Sequence, residues 1–201
     1  ATELLGGRRG AAVLLDPRSG AVRLLASSPS YDPNQLEKLW QGLVEDKNSP
    51  LLYRAVQGAY PPGSTFKIVT AAGVLANQPG PAGASYDCPG YLVVDGYRLN
   101  DNAAHGEVDL KRALALSCNT TFAQLGLKLG VDDFYRTARG FGLDQDPAPG
   151  IPVRPGTMAQ PGKMTRTELA SSSIGQGELL VSPLHMALVA SAIANKGVIM
   201  R

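Results

Sequence analysis

Cysteine and histidine are scarce in this chain, with two of each in 201 residues. Two cysteines are too few for a disulfide scaffold. Cys88 and Cys118 also lack the spacing of metal-ligand pairs, and with only two histidines no zinc site is expected. A single Cys88–Cys118 bridge would need an oxidising compartment, which the sequence leaves open. Long apolar runs are missing too. No stretch approaches the roughly 20 residues that span a bilayer, and none reads as a secretory leader. The chain opens on Ala1 rather than Met, so it reads as a piece of something longer. Charge of one sign is equally lacking. The net charge is +2 and no basic cluster exceeds Arg8-Arg9, which argues against nucleic acid as a partner.

What remains is the composition of a globular protein. Hydrophobic residues make up 44% and charged residues 18%, and the length suffices for one sizeable domain with a real core. The 23 glycines and 15 prolines imply many loops rather than a helical bundle. Residues 10–27 predict a β-hairpin, two apolar runs joined by the turn Asp16-Pro17-Arg18-Ser19-Gly20. Both runs are apolar on both faces, which predicts central strands covered by helices. A short helix is expected around Gln35–Leu43. A small hairpin, Tyr91–Val94 and Tyr97–Leu99, turns at Asp95-Gly96. Further helices are predicted over Asp109–Leu116, Thr120–Leu129 and Asp133–Arg139. Residues 142–163 read as loop. Thr165 opens a capping box, and Ser182-Pro183 opens a last helix closed by Gly197. The sheet looks too small for so much helix.

The chemistry begins at Tyr60-Pro61-Pro62-Gly63-Ser64-Thr65-Phe66-Lys67. The prolines and glycine mark a helix start, and Ser64 falls at or near its N-cap. Lys67, three residues on, shares the helical face with Ser64 and can reach its hydroxyl. Lys67 is the only charged side chain from Thr65 to Ala76, so it is expected to be desolvated, with a depressed pKa suited to taking a proton from a serine nucleophile. Most Ser-x-x-Lys matches are an N-cap serine and a solvated lysine. The apolar helix is what sets this one apart. A second run, Ser117-Cys118-Asn119-Thr120-Thr121, lies between two apolar helices. It can be a helix cap and nothing more, or it can bring a hydroxyl and a carboxamide to the same cleft.

Taken together these segments resemble the transpeptidase domain of class B penicillin-binding proteins, in the superfamily of penicillin-recognising serine enzymes. Ser64-Thr65-Phe66-Lys67 after Pro-Pro-Gly is similar to the first family motif, and Ser117-Cys118-Asn119 to the second. The opening hairpin with Ser28-Pro29-Ser30-Tyr31-Asp32-Pro33-Asn34 matches as well. So do His105-Gly106-Glu107-Val108-Asp109-Leu110, Ser173-Ile174-Gly175-Gln176-Gly177 and Ser182-Pro183-Leu184-His185-Met186-Ala187. The resemblance implies an α+β fold of the β-lactamase/transpeptidase type, here a partial domain over residues 1–201, helix-rich, with the N-terminal hairpin and without the later strands.

It also implies a mechanism. Ser64 would be acylated by the penultimate D-alanine carbonyl of a peptidoglycan stem peptide ending in D-Ala-D-Ala, and an amine of a neighbouring stem would take the acyl group. Lys67 would be the base, Ser117 would relay the proton to the leaving amine, and Asn119 would hold the substrate backbone. The Ser64 backbone N–H would form half of an oxyanion hole. Gln176 would shape the cleft wall. β-Lactams would acylate Ser64, and neither cofactor nor metal is implied. The parent would be membrane-anchored on the extracytoplasmic face, with cell-wall synthesis partners. The third family motif, Lys-Thr/Ser-Gly, is absent: Asn195-Lys196-Gly197 lacks the hydroxyl residue and reads as a helix end. Acylation by these 201 residues is therefore expected to be weak or undetectable. A serine β-lactamase or β-lactam sensor of the same fold, a carboxypeptidase and a non-catalytic cell-wall scaffold are the alternatives. His105 is expected to be structural, and Trp40 and Tyr53 core or loop anchors.

Overall fold

The computed structural model describes residues 2–147 and 151–200. The loop expected over 142–163 therefore includes three residues, 148–150, outside the described ones, as are Ala1 and Arg201. In chain order the elements begin with α1 (Thr2–Leu5), β1 (Gly10–Leu15), β2 (Val22–Ser28), α2 (Leu36–Glu45) and α3 (Arg54–Gln57). A 3-10 turn, Gly63–Phe66, leads into α4 (Lys67–Asn77) and α5 (Pro79–Gly83). Four short strands follow: β3 (Tyr86–Cys88), β4 (Tyr91–Val94), β5 (Tyr97–Asn100) and β6 (Gly106–Val108). The last helices are α6 (Leu110–Ala115), α7 (Asn119–Leu129), α8 (Val131–Gly140), α9 (Arg166–Ser172) and α10 (Pro183–Ala194). The fold is mixed α/β and helix-rich, and its described strands pair antiparallel as β1–β2, β3–β6 and β4–β5.

The chain divides into two compact units. The first comprises Ala1–Ala59, Asp146–Pro155 and Val181–Arg201. Its core joins Ala55 and Val56 of α3, Val153, and Leu184 and Leu188 of α10, with Ala11, Val13, Leu15 and Leu25 of the hairpin packed against them. These hairpin residues share one face by strand alternation. The other face is not covered as the sequence predicts, since Leu14 is 56% exposed. The apolar runs are real, but the second face of β1–β2 is covered only in part, with Ala26 and Ser28 buried and Leu14 open. Nor is Trp40 a core anchor: α2 has no buried residue and Trp40 is exposed. Tyr53 serves as a loop anchor, donating its hydroxyl to the Leu25 carbonyl. α10 starts as its sequence predicts, with Pro183 at the first turn and Ser182 and His185 closing a capping box.

The second unit, Tyr60–Gln145 with Gly156–Leu180, is built around α4 and α7. Helix α4 packs on α7 and α8, and α7 packs on α9. The core includes Phe66, Val69, Val74, Phe122, Leu125 and Phe134, all at most 1% exposed. Close helix approach is bought by glycine at one crossing: a Cβ on Gly126 of α7 would stand 1.8 Å from Ser173 Oγ. The hairpin β4–β5 turns at Asp95-Gly96, both in the left-handed region (φ 47° and 82°), the geometry that two-residue hairpins favour. β3, β6 and the one-turn helices carry too short a pattern to be read from sequence.

Candidate active site

Ser64 sits in the 3-10 turn, one turn ahead of α4, rather than at the cap of the α-helix. The Lys67 N–H donates to the Ser64 carbonyl, which closes that turn. In a 3-10 turn residues i and i+3 eclipse, so Ser64 and Lys67 project along one edge. The turn is pinned from a distant segment. The Gly63 N–H donates to the Gly175 carbonyl at 2.8 Å, and a Cβ on Gly175 would fall 2.0 Å from Gly63 O. Gly175 also has φ 77°, so two independent constraints demand glycine there.

Ser64 is exposed and Lys67 is fully buried. The Lys67 Nζ donates to Ser117 O at 2.5 Å, Ser117 Oγ at 3.1 Å and Asn119 Oδ1 at 2.7 Å. Three acceptors satisfy the three donors of an ammonium. The Ser64 hydroxyl has no hydrogen-bond partner among the described residues, so the Ser64–Lys67 contact expected from spacing is not made here. The lysine instead ties the two motifs together. Burial lowers the Lys67 pKa below the ordinary lysine value, while the negative charge of Asp101 works the other way.

The second motif is a helix junction as well as a site. The Ser117 N–H donates to Leu114 O and the Cys118 N–H to Ala113 O, ending α6, and Ser117 itself is left-handed at φ 56°. Cys118 caps α7, its Sγ accepting from the Thr121 N–H. This conformation aims Ser117 and Asn119 at Lys67 and turns Cys118 inward to full burial. Asn119 also donates Nδ2 to Asn100 O at 3.2 Å. A cleft of about 430 Å³ is lined by Ser64, Asn119 and Gln176, with Arg98 and Asn100 of β5 on its wall. Gln176 sits between the left-handed Gly175 and Gly177, its N–H donating to Ser171 O.

Behind Asn119 lies a group that sequence spacing did not reveal. The Asp101 Oδ2 accepts from the Thr120 N–H at 2.8 Å and from the thiols of Cys88 at 3.4 Å and Cys118 at 3.2 Å. Burial works to raise the Asp101 pKa, but backbone donors from Thr120 and Asn119 outweigh it and hold the carboxyl well below its usual range. Burial pushes the Cys118 thiol up to about 12. Both cysteines are free and buried, so no Cys88–Cys118 bridge is formed. With His105 they make a compact set: ligand atoms of Cys88, Asp101, His105 and Cys118 all lie within 4.8 Å of one another. Two thiols, an imidazole and a carboxylate suit a tetrahedral divalent zinc ion. The expectation of no zinc site rested on sequence spacing; β3, the loop after β5 and the α7 cap gather donors that no short motif links.

An exposed hydroxyl one turn before a buried, hydroxyl- and carboxamide-bound lysine is an arrangement in which serine–lysine acyl transfer could be built. Residues 10–201 match the family model described as penicillin binding protein transpeptidase domain, and the chain belongs to that family. It is 38% identical over 210 residues to the peptidoglycan D,D-transpeptidase PbpA of Mycolicibacterium smegmatis, covering 98% of this chain and 43% of that one. It is 36% identical to MrdA of Acinetobacter baumannii, covering 98% of this chain and 32% of the relative. Among solved structures, the ceftriaxone acyl-enzyme complex of penicillin-binding protein A from M. tuberculosis superposes with a TM-score of 0.87 at 36% identity, covering 94% of this chain and 45% of that chain. The D,D-transpeptidase domain of a peptidoglycan glycosyltransferase from Eggerthella lenta gives 0.91 at 30% identity, covering 99% and 52%. The chain thus spans less than half the length of these curated relatives.

Proposed function

We propose that this chain carries the nucleophile side of a peptidoglycan D,D-transpeptidase site. Ser64 attacks the penultimate D-alanine carbonyl of a stem peptide, the terminal D-alanine leaves, and an amine of a second stem takes the acyl group. The same serine is the target of β-lactams. The observation that carries the reading is the buried Lys67 bonded at once to Ser117 and Asn119, one turn after an exposed serine. Lys67 as the free amine takes the Ser64 proton. Ser117, on the same nitrogen, is positioned to pass a proton to the leaving amine. Asn119 offers a carboxamide to the substrate backbone. The substrate places the site on the extracytoplasmic face, in a membrane-anchored parent working with cell-wall synthesis partners.

No Lys-Thr/Ser-Gly occurs in the 201 residues, and Lys196-Gly197 follow the end of α10, both left-handed. Acylation by this chain alone is therefore slow. Intact-mass spectrometry after long exposure to excess benzylpenicillin is expected to show one adduct, absent from Ser64→Ala. An adduct that survives in Ser64→Ala would overturn the reading. Rapid turnover of the adduct would favour a β-lactamase instead.

A further inference from the structure

One residue lining the Ser64 cleft bears a charge that the proposed chemistry does not use. That residue is Arg98, and no carboxylate lines the cleft. Strand alternation puts Arg98 and Asn100 on one face of β5, and pairing sets Tyr91 of β4 opposite Asn100. The guanidinium lies 3.8 Å from the Tyr91 ring centroid, and its Nε donates to Asn100 Oδ1 at 3.0 Å. Both holds are made by neutral groups. Four other arginines, Arg23, Arg136, Arg139 and Arg166, each pair with a neighbouring aspartate, whereas Arg98 does not among the described residues. The Arg98 Nη groups have no partner among the described residues.

An arginine stacked on an aromatic ring at a protein surface is commonplace and is usually just solvated. Three features separate this one. It lines a concave space shared with the nucleophile, it is oriented by two contacts that leave its Nη edge open, and its strand is joined to the second motif through Asn119 Nδ2 and Asn100 O. A planar guanidinium with a free edge is the geometry that takes a carboxylate through two parallel hydrogen bonds. We infer that Arg98 forms an anion subsite in the wall of the Ser64 cleft, receiving a carboxylate that the acyl donor carries away from its scissile end. The ligand class is a peptide with an ionised side-chain carboxylate, or a β-lactam with a carboxylate in its acyl side chain. This rests on the acyl-transfer reading of Ser64.

The test compares two penicillins with the same nucleus. One has a phenylacetyl side chain and the other the same side chain bearing an α-carboxylate. Each is incubated with the chain, and initial adduct formation on Ser64 is followed by intact mass. The quantity read is the ratio of the anionic to the neutral rate, so that any effect on folding or on the nucleophile divides out. Arg98→Ala is expected to lower the ratio about tenfold, the scale of one charge-assisted hydrogen bond. Arg98→Glu should lower it further, and Arg98→Lys should retain part of it. A ratio that Arg98→Ala and Arg98→Glu leave in place overturns the subsite while the acyl-transfer reading stands. Acylation by both penicillins at a residue other than Ser64 overturns that reading and the subsite with it.

Discussion

Lys67 concentrates the chemistry of this chain in one nitrogen. It is fully buried, yet each of its acceptors is neutral: a carbonyl, a hydroxyl and a carboxamide. Burial without a paired carboxylate favours the free amine, so the folded value lies below the ordinary 10.5. The sign follows. Between the folded and the unfolded value the unfolded chain binds more protons, so stability rises with pH across that window. The base form of Lys67 grows over the same window. The rate of Ser64 adduct formation is therefore expected to climb with pH to a midpoint below 10.5, and a pH-rate profile checks it. Lys67→Ala should cost a factor of about 10² to 10⁴, the range for a positioned base. Gly175 makes a second claim at this scale. Alanine there meets Gly63 O at 2.0 Å in a backbone region costing about 1–3 kcal/mol for other residues. Gly175→Ala should lower the melting temperature and reduce Ser64 labelling together. Normal labelling would show that the Gly63 turn does not depend on this contact.

Among the elements, those with a strong local pattern were legible. The β4–β5 hairpin is announced by Asp95-Gly96, and α6, α7 and α10 by Asp109, Gly130 and Ser182-Pro183. The first two motifs were legible for the same reason: each is a short contiguous run at a helix start. The elements missed are those that exist only through tertiary contact. β3 and β6 are three residues each and pair across 17 intervening residues, from Cys88 to Gly106. That pairing delivers Cys88 and His105 to Asp101 and to the cap of α7, so this cluster of donors was invisible for the reason its strands were. The set makes a prediction for the junction of α6 and α7. Zinc should bind one per chain in equilibrium dialysis and raise the melting temperature, because an ion held by the native cluster stabilises it by mass action. Cys88→Ser with Cys118→Ser should abolish both effects. Zinc binding that survives the double substitution would place the ion elsewhere.

At the scale of the whole molecule, every group assigned to chemistry lies in the unit formed by Tyr60–Gln145 and Gly156–Leu180. The nucleophile turn, the α6–α7 junction, the β5 wall and the Gly175-Gln176-Gly177 turn come from four separate stretches of that unit. Sequence spacing relates only neighbours. It could pair Ser64 with Lys67, but not Gly63 with Gly175 or Asn100 with Asn119. It also drew Lys67 toward Ser64, whereas the folded unit turns it toward Ser117 and Asn119.

The central claim is that Ser64 is the residue that becomes acylated, and peptide mapping tests it most directly. The chain is exposed to excess benzylpenicillin, digested, and the modified residue is located by tandem mass spectrometry. The account predicts a slowly accumulating adduct on Ser64 that disappears in Ser64→Ala and is strongly reduced in Lys67→Ala. An adduct on any other residue, or one that persists in Ser64→Ala, would contradict it.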